Sequence, residues 1–293
     1  MNYTFAKHEK FYIRSGWLKK GLNALEDYPH IFLETINAMD ELGIGKNMIM
    51  SLRYWMQATN LTTEKYKGGE KIQEKTDFAD LILKYDPFFE DKSTFWLLHY
   101  KLSQEKKLAT TWYWFFNHFN YVEFDQELFI DRLTDYIKRT GENPPSISSL
   151  ESDYDVLRKM YISNEDKFDL KQTKYDPEKE LMKSPFSELN LLINSEDNSL
   201  KINRPNMQSL PVEILFYCIL DNFDNADRIN IDSLNSSGSV SSIFKLNVNL
   251  LFSYLEKMQE KGYIRIDKQA GLNSITIYEK SKEDILSNYY EKH

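Results

Sequence analysis

Apolar residues recur at helical spacing through most of the chain, which predicts a mainly α fold. Two helices are expected over 17–28 and 31–42, separated by Tyr28-Pro29-His30. Ile31, Phe32, Ile36, Met39 and Leu42 mark the second. A turn at Leu42-Gly43-Ile44-Gly45 suits glycine, which reaches positive φ at little cost. A third helix follows from Lys46 to about Thr59. Its apolar stripe is Met48, Ile49, Leu52, Trp55 and Met56, and its polar face is Lys46, Asn47, Ser51, Arg53 and Gln57. Helix, glycine turn and polar-faced helix make a helix-turn-helix-like pattern. Thr62 to Lys75, with Gly68-Gly69 between lysines, could add a small wing. An ordinary helical hairpin with a solvated face fits the same pattern.

Residues 76–120 concentrate aromatics, notably in Thr94-Phe95-Trp96-Leu97-Leu98-His99-Tyr100 and Thr111-Trp112-Tyr113-Trp114-Phe115-Phe116. One helix face cannot hide that many rings, so these blocks are expected to be core. Stacking against unpaired bases is the alternative use of such rings. Asp86-Pro87 marks a turn, and Ser93 or Thr94 is the expected cap of the helix after it. A helical pair is expected over 125–161, broken at Gly141 and Pro144-Pro145. The highly charged stretch 163–184 reads as an exposed linker.

The C-terminal part predicts an apolar helix over Leu210–Leu220, a polar serine-rich stretch, an amphipathic helix over Val248–Lys261, and strands at Tyr263–Ile266 and Ser274–Tyr278. Helices followed by a hairpin predict a winged-helix-like unit, a fold that binds DNA or protein. The expected organisation is therefore an aromatic-rich helical domain with the helix-turn-helix-like segment over 1–120, a helical middle with its linker over 121–185, and a winged-helix-like domain over 186–293.

Composition narrows the class. Of 293 residues, 41% are hydrophobic, enough for a substantial core, and the longest apolar runs fall well short of the ~20 residues a membrane helix needs. The first residues lack an apolar signal core, and the single cysteine, Cys218, lies inside an apolar run. A cytoplasmic location is the expectation. Net charge is −8, which disfavours indiscriminate nucleic-acid binding, yet residues 42–75 carry six Lys/Arg against three Asp/Glu. Zinc-type Cys/His spacing, a Walker loop and a dinucleotide fingerprint are all missing, so neither zinc nor a nucleotide cofactor is expected.

Two polar clusters could carry chemistry. His8, Glu9 and Arg14 together could position a phosphate and move a proton. Asp86, Glu90 and Asp91 could hold Mg²⁺ through oxygen ligands. One phosphate between both clusters would complete a catalytic site. Surface ion pairs and helix caps are the structural alternative. Lys46, Asn47, Ser51 and Arg53 are the candidate DNA contacts.

Several of these stretches occur together in one family. They are His8-Glu9-Lys10-Phe11 with Arg14 and Gly16-Trp17-Leu18; Leu42-Gly43-Ile44-Gly45-Lys46-Asn47-Met48; Arg53-Tyr54-Trp55; Asp86-Pro87-Phe88-Phe89-Glu90-Asp91; Thr94-Phe95-Trp96-Leu97-Leu98-His99; and Phe116-Asn117. Through them the chain resembles the DNA phosphorothioation-associated domain family, which supplies the nicking component of Ssp-type single-strand phosphorothioation systems. The resemblance is strongest over residues 5–120. It implies an antiviral-defence protein acting on DNA, with a cysteine desulfurase and an ATP-pyrophosphatase-like sulfur-transfer protein as partners. It leaves two roles open, a metal-dependent DNA nickase and a non-catalytic DNA-binding adaptor or regulator. A third reading is a scaffold whose winged helix meets only proteins.

Overall fold

Helices form where the apolar periodicity placed them. The structure is a computed structural model that describes residues 3–33, 35–162, 182–195, 199–224, 226–269 and 272–292. Most of the charged stretch 163–184 lies outside the described residues. The chain divides into two compact units, one of residues 1–114 and 120–203, the other of 115–119 and 204–293. Residues 186–203 thus belong to the first unit. Among the described residues no helix is long and apolar enough to cross a membrane.

The first unit begins with α1 (Trp17–Asp27), α2 (Thr35–Leu42) and α3 (Lys46–Ala58). Helix α2 starts four residues later than the periodicity implies. Residues 28–33 form successive turns instead, with Ile31 N–H bonded to Tyr28 O and Leu33 N–H to His30 O. Gly43 takes φ 59° and Gly45 caps α3, so the glycine turn performs the reversal expected of it. Helix α1 packs closely on α3 at Gly21, where an added Cβ would meet Met56 Sδ at 2.4 Å. The predicted wing is an antiparallel hairpin, β1 (Thr62–Lys67) and β2 (Glu70–Lys75). Gly68 and Gly69 both have positive φ, which a two-residue type I′ turn requires.

The aromatic blocks are core. They occupy α5 (Lys92–Gln104), which follows α4 (Asp77–Tyr85), and α6 (Thr110–His118), whose last residues are counted with the second unit. Every residue from Ser93 to Tyr100 is buried, as are Trp112 and Trp114. The cap of α5 is Asp91 rather than Ser93 or Thr94. A carboxylate accepts the Ser93 N–H, which frees the Thr94 hydroxyl to donate to Asp86. Helices α7 (Gln126–Arg139) and α8 (Ile147–Tyr161) flank Gly141 and Pro144-Pro145 as expected. Strands β3 (Glu123–Phe124), β4 (Leu192–Asn194) and β5 (Leu200–Ile202) form a small antiparallel sheet in the order β3-β5-β4, too short to leave a periodic signal.

The second unit is winged-helix-like. Helix α9 (Val212–Asn222) starts directly after Pro211, and Val212 to Leu220, including Cys218, are all buried. Strand β6 (Arg228–Asn230), α10 (Ile231–Leu234), α11 (Val240–Ile243) and α12 (Val248–Glu260) lead to the hairpin of β7 (Ile264–Gln269) and β8 (Leu272–Ile277). Strand β6 pairs with β8, giving a three-stranded sheet, and α13 (Lys282–Tyr290) packs on α9.

Candidate functional site

The N-terminal segment carries most of the backbone strain near the predicted chemistry. Ala6, Glu9 and Lys10 all adopt left-handed φ, at 54°, 49° and 66°. Non-glycine residues hold that conformation at a cost, and surrounding contacts must impose it. His8 is the anchor. Its imidazole is fully buried, stacks on Trp55 at 6.0 Å, and lies edge-on to Trp112. The Lys10 N–H donates to His8 Nδ1 at 3.1 Å, so the ring proton sits on Nε2 and is donated to Asp153 at 2.8 Å. Asp153 also accepts from Ala6 N–H and from the Thr111 hydroxyl. One ring nitrogen of His8 thus ties the segment to α8, and the other braces the segment's own turn.

The anchored segment presents Lys7 and Glu9 outward. Both line an open cleft of about 420 Å³ with Thr4, Met50, Arg53, Tyr54, Gln57, Glu64, Lys71 and Leu108. Lys46, Met50, Arg53 and Gln57 are spaced four, three and four residues apart, so they form one stripe of α3. In the hairpin, Glu64 pairs with Gln73 and Tyr66 with Lys71, which makes Glu64 and Lys71 diagonal neighbours on one face.

Four donors converge on Glu64. Arg53 Nε donates to Oε1 at 2.7 Å, Arg53 Nη2 donates to the same oxygen, and Gln57 Nε2 reaches it at 3.1 Å. Lys71 Nζ binds Oε2. Burial pushes the Glu64 carboxyl up, but the hydrogen bonds and charges of Lys71 and Arg53 outweigh it and hold the group below its ordinary range. Tyr54 donates to Leu108 O at 3.1 Å. Burial first, then the charges of Asp153 and Glu105, raise it well above the ordinary phenol range, so it stays a donor. Among the described residues the Lys7 and Glu9 side chains have no hydrogen-bond or ion-pair partner.

The sequence-derived residues fall in different places. Glu9 and Arg53 meet at the cleft. Lys46 and Asn47 are exposed at the start of α3. Ser51 is buried and donates to Phe11 O at 3.2 Å. The Arg14 guanidinium lies over the rings of Phe11 and Trp17, at 5.6 and 5.3 Å. Asp86 is buried, its oxygens accepting from Glu90 N–H, Asp91 N–H and the Thr94 hydroxyl. With Asp91 capping α5 and Glu90 exposed, these three carboxylates do not converge. Among the described residues no group of three His, Cys, Asp or Glu side chains could hold a metal ion.

Sequence reasoning missed Lys7, Glu64, Lys71 and Asp153 as site or scaffold residues. Asp153 left a usable signal: it is the one carboxylate on the core stripe Leu150, Asp153, Tyr154, Leu157, Met160, Tyr161. Glu64 and Lys71 left none, because their pairing depends on the hairpin register.

Helix-turn-helix-like order, hairpin and cleft in the first unit, with a winged-helix-like second unit, make a mainly helical protein with small antiparallel sheets. The chain belongs to the DUF4007 family, described as a protein of unknown function, whose family model matches residues 5–290. Two solved structures are similar to it, one described as SspB and one as magnesium ion-bound SspB. Each has a TM-score of 0.84 and 26% identity, over 98% of this chain and 88% of the other. The resemblance read from the N-terminal motifs therefore stands. No curated protein matches.

Proposed function

We propose that this protein is a DNA-acting component of a phosphorothioation defence system and docks on DNA through its first unit. The likeness to SspB over 98% of the chain carries this reading. The site geometry supports the choice of unit. Helix α3 shows solvent Lys46 and Asn47, with Lys7, Arg53 and Lys71 at the adjacent cleft. The corresponding helix of the second unit, α12, shows Val248, Asn249, Glu256, Lys257 and Glu260, and Lys257 is paired with Glu260 at 2.6 Å. A backbone phosphate is attracted to the first set and not to the second, which suits a protein partner. A cysteine desulfurase and an ATP-pyrophosphatase-like protein are the expected companions, in the cytoplasm where the DNA is. Lys46→Glu and Lys7→Glu should each weaken binding to a short duplex by about 1–3 kcal/mol and lower the salt slope by about one ion. Unchanged affinity and slope in both variants would remove the first unit from the interface.

Strand nicking is the second reading, favoured by the magnesium ion described in one of the similar structures. That ion supports Mg²⁺ use here, and Glu9 is the proposed proton-handling carboxylate, since it lines the cleft without a partner among the described residues. Relaxation of supercoiled plasmid should then require Mg²⁺ and be lost in Glu9→Gln. Plasmid left intact with and without Mg²⁺ would leave the adaptor role alone.

A further inference from the structure

The donors around Glu64 are only partly used. Both Arg53 nitrogens that reach it share a single oxygen, and Nη1 has just a long 3.5 Å contact with Phe32 O. Lys71 Nζ makes one ion pair among the described residues, with Glu64. A guanidinium offers five N–H groups in a fork and an ammonium three, so this niche has more donor capacity than one carboxylate consumes. The side chains of Arg53, Lys71 and Glu64 are 26%, 38% and 16% exposed, within reach of solvent. Lys7 lines the same cleft and is held there by the strained, His8-anchored segment.

We propose that Glu64 is a resident anion occupying a phosphate niche built by Arg53, Gln57 and Lys71, with Lys7 also lining the cleft, and that a backbone phosphodiester displaces it. Its two non-bridging oxygens match the Arg53 fork better than one carboxylate oxygen does. Displacing Glu64 costs ion-pair energy, so the niche rejects single anions and admits a polyanion that brings many contacts at once. Glu64 thereby acts as a selectivity gate. The proposal rests on the DNA-docking reading for its ligand, but the niche can be probed without DNA.

Glu64→Gln keeps the shape and an acceptor oxygen while removing the charge, and an unchanged melting temperature would confirm an intact fold. Duplex binding is followed by fluorescence anisotropy between about 50 and 200 mM salt. Inorganic phosphate is titrated while the Arg53 Nε–H resonance is followed, assigned by its loss in Arg53→Gln. Glu64→Gln should bind duplex about tenfold more tightly, with a salt slope steeper by about one ion, and Glu64→Gln/Arg53→Gln should lose that gain. Phosphate should move the Arg53 signal in Glu64→Gln and not in the unsubstituted protein. Phosphate response without duplex binding by either protein would keep the niche and overturn DNA docking. Equal duplex binding by both proteins with no phosphate response would keep DNA docking and overturn the niche.

Discussion

Asp153→Ala is expected to destabilise the first unit by about 3–5 kcal/mol, because it removes the acceptor shared by three donors, each costing about 1–3 kcal/mol when left unsatisfied in the interior. The carboxylate is 1% exposed and accepts from three donors, the buried His8 Nε2 and Thr111 hydroxyl and the partly buried Ala6 N–H. Alanine leaves all three without their acceptor. Asp153→Asn keeps the volume and one acceptor oxygen, so it should cost less. Chemical denaturation gives the difference directly. The substitution also unties the segment that presents Lys7 and Glu9, so duplex affinity should fall along with stability. A loss below 1 kcal/mol would mean that the His8–Asp153 pair is not what holds the segment.

Lys245→Met should cost the second unit about 2–4 kcal/mol, because a buried donor shared by several carbonyls is withdrawn. Lys245 Nζ donates to Phe115 O at 2.8 Å and to Phe116 O and Phe119 O at 3.2 Å, the carbonyls at the end of α6. Its stem is half-buried and lies against the Phe115 and Phe116 rings, while the nitrogen faces the helix end. A cation there also meets the negative pole of the helix. Methionine keeps the stem and the left-handed backbone at this position, φ 54°, so the change isolates the ammonium. Burial pulls the Lys245 pKa from 10.5 down to about 7. The unfolded chain then binds the proton more tightly than the folded one. Stability of this unit should therefore rise as the pH goes from about 7 towards 10.5, and Lys245→Met should flatten that rise. A variant as stable as the parent, with the same pH profile, would assign the helix end to other donors.

Local pattern determined much of this protein. The glycine turn between α2 and α3, the Gly68-Gly69 hairpin, the start of α9 after Pro211, the break at Gly141 and the amphipathic α12 follow from backbone preference and apolar spacing, which act over a few residues. The burial of the aromatic blocks follows from their sheer area. Tertiary structure alone decided what each polar side chain does. His8, Asp86 and Asp91 resemble catalytic groups in a string of letters, and only the folded contacts, long-range for His8 and local for the two aspartates, assign them structural roles. His8 meets Asp153, 145 residues away. Asp86 closes its own turn, and Asp91 caps α5. Arg53 is equally legible as a solvent-facing cation until the hairpin register brings Glu64 and Lys71 to it. A side chain's charge is written in the sequence, but its burial and its partner are set by contacts between segments far apart, and these decide whether that charge is structural or available to a ligand.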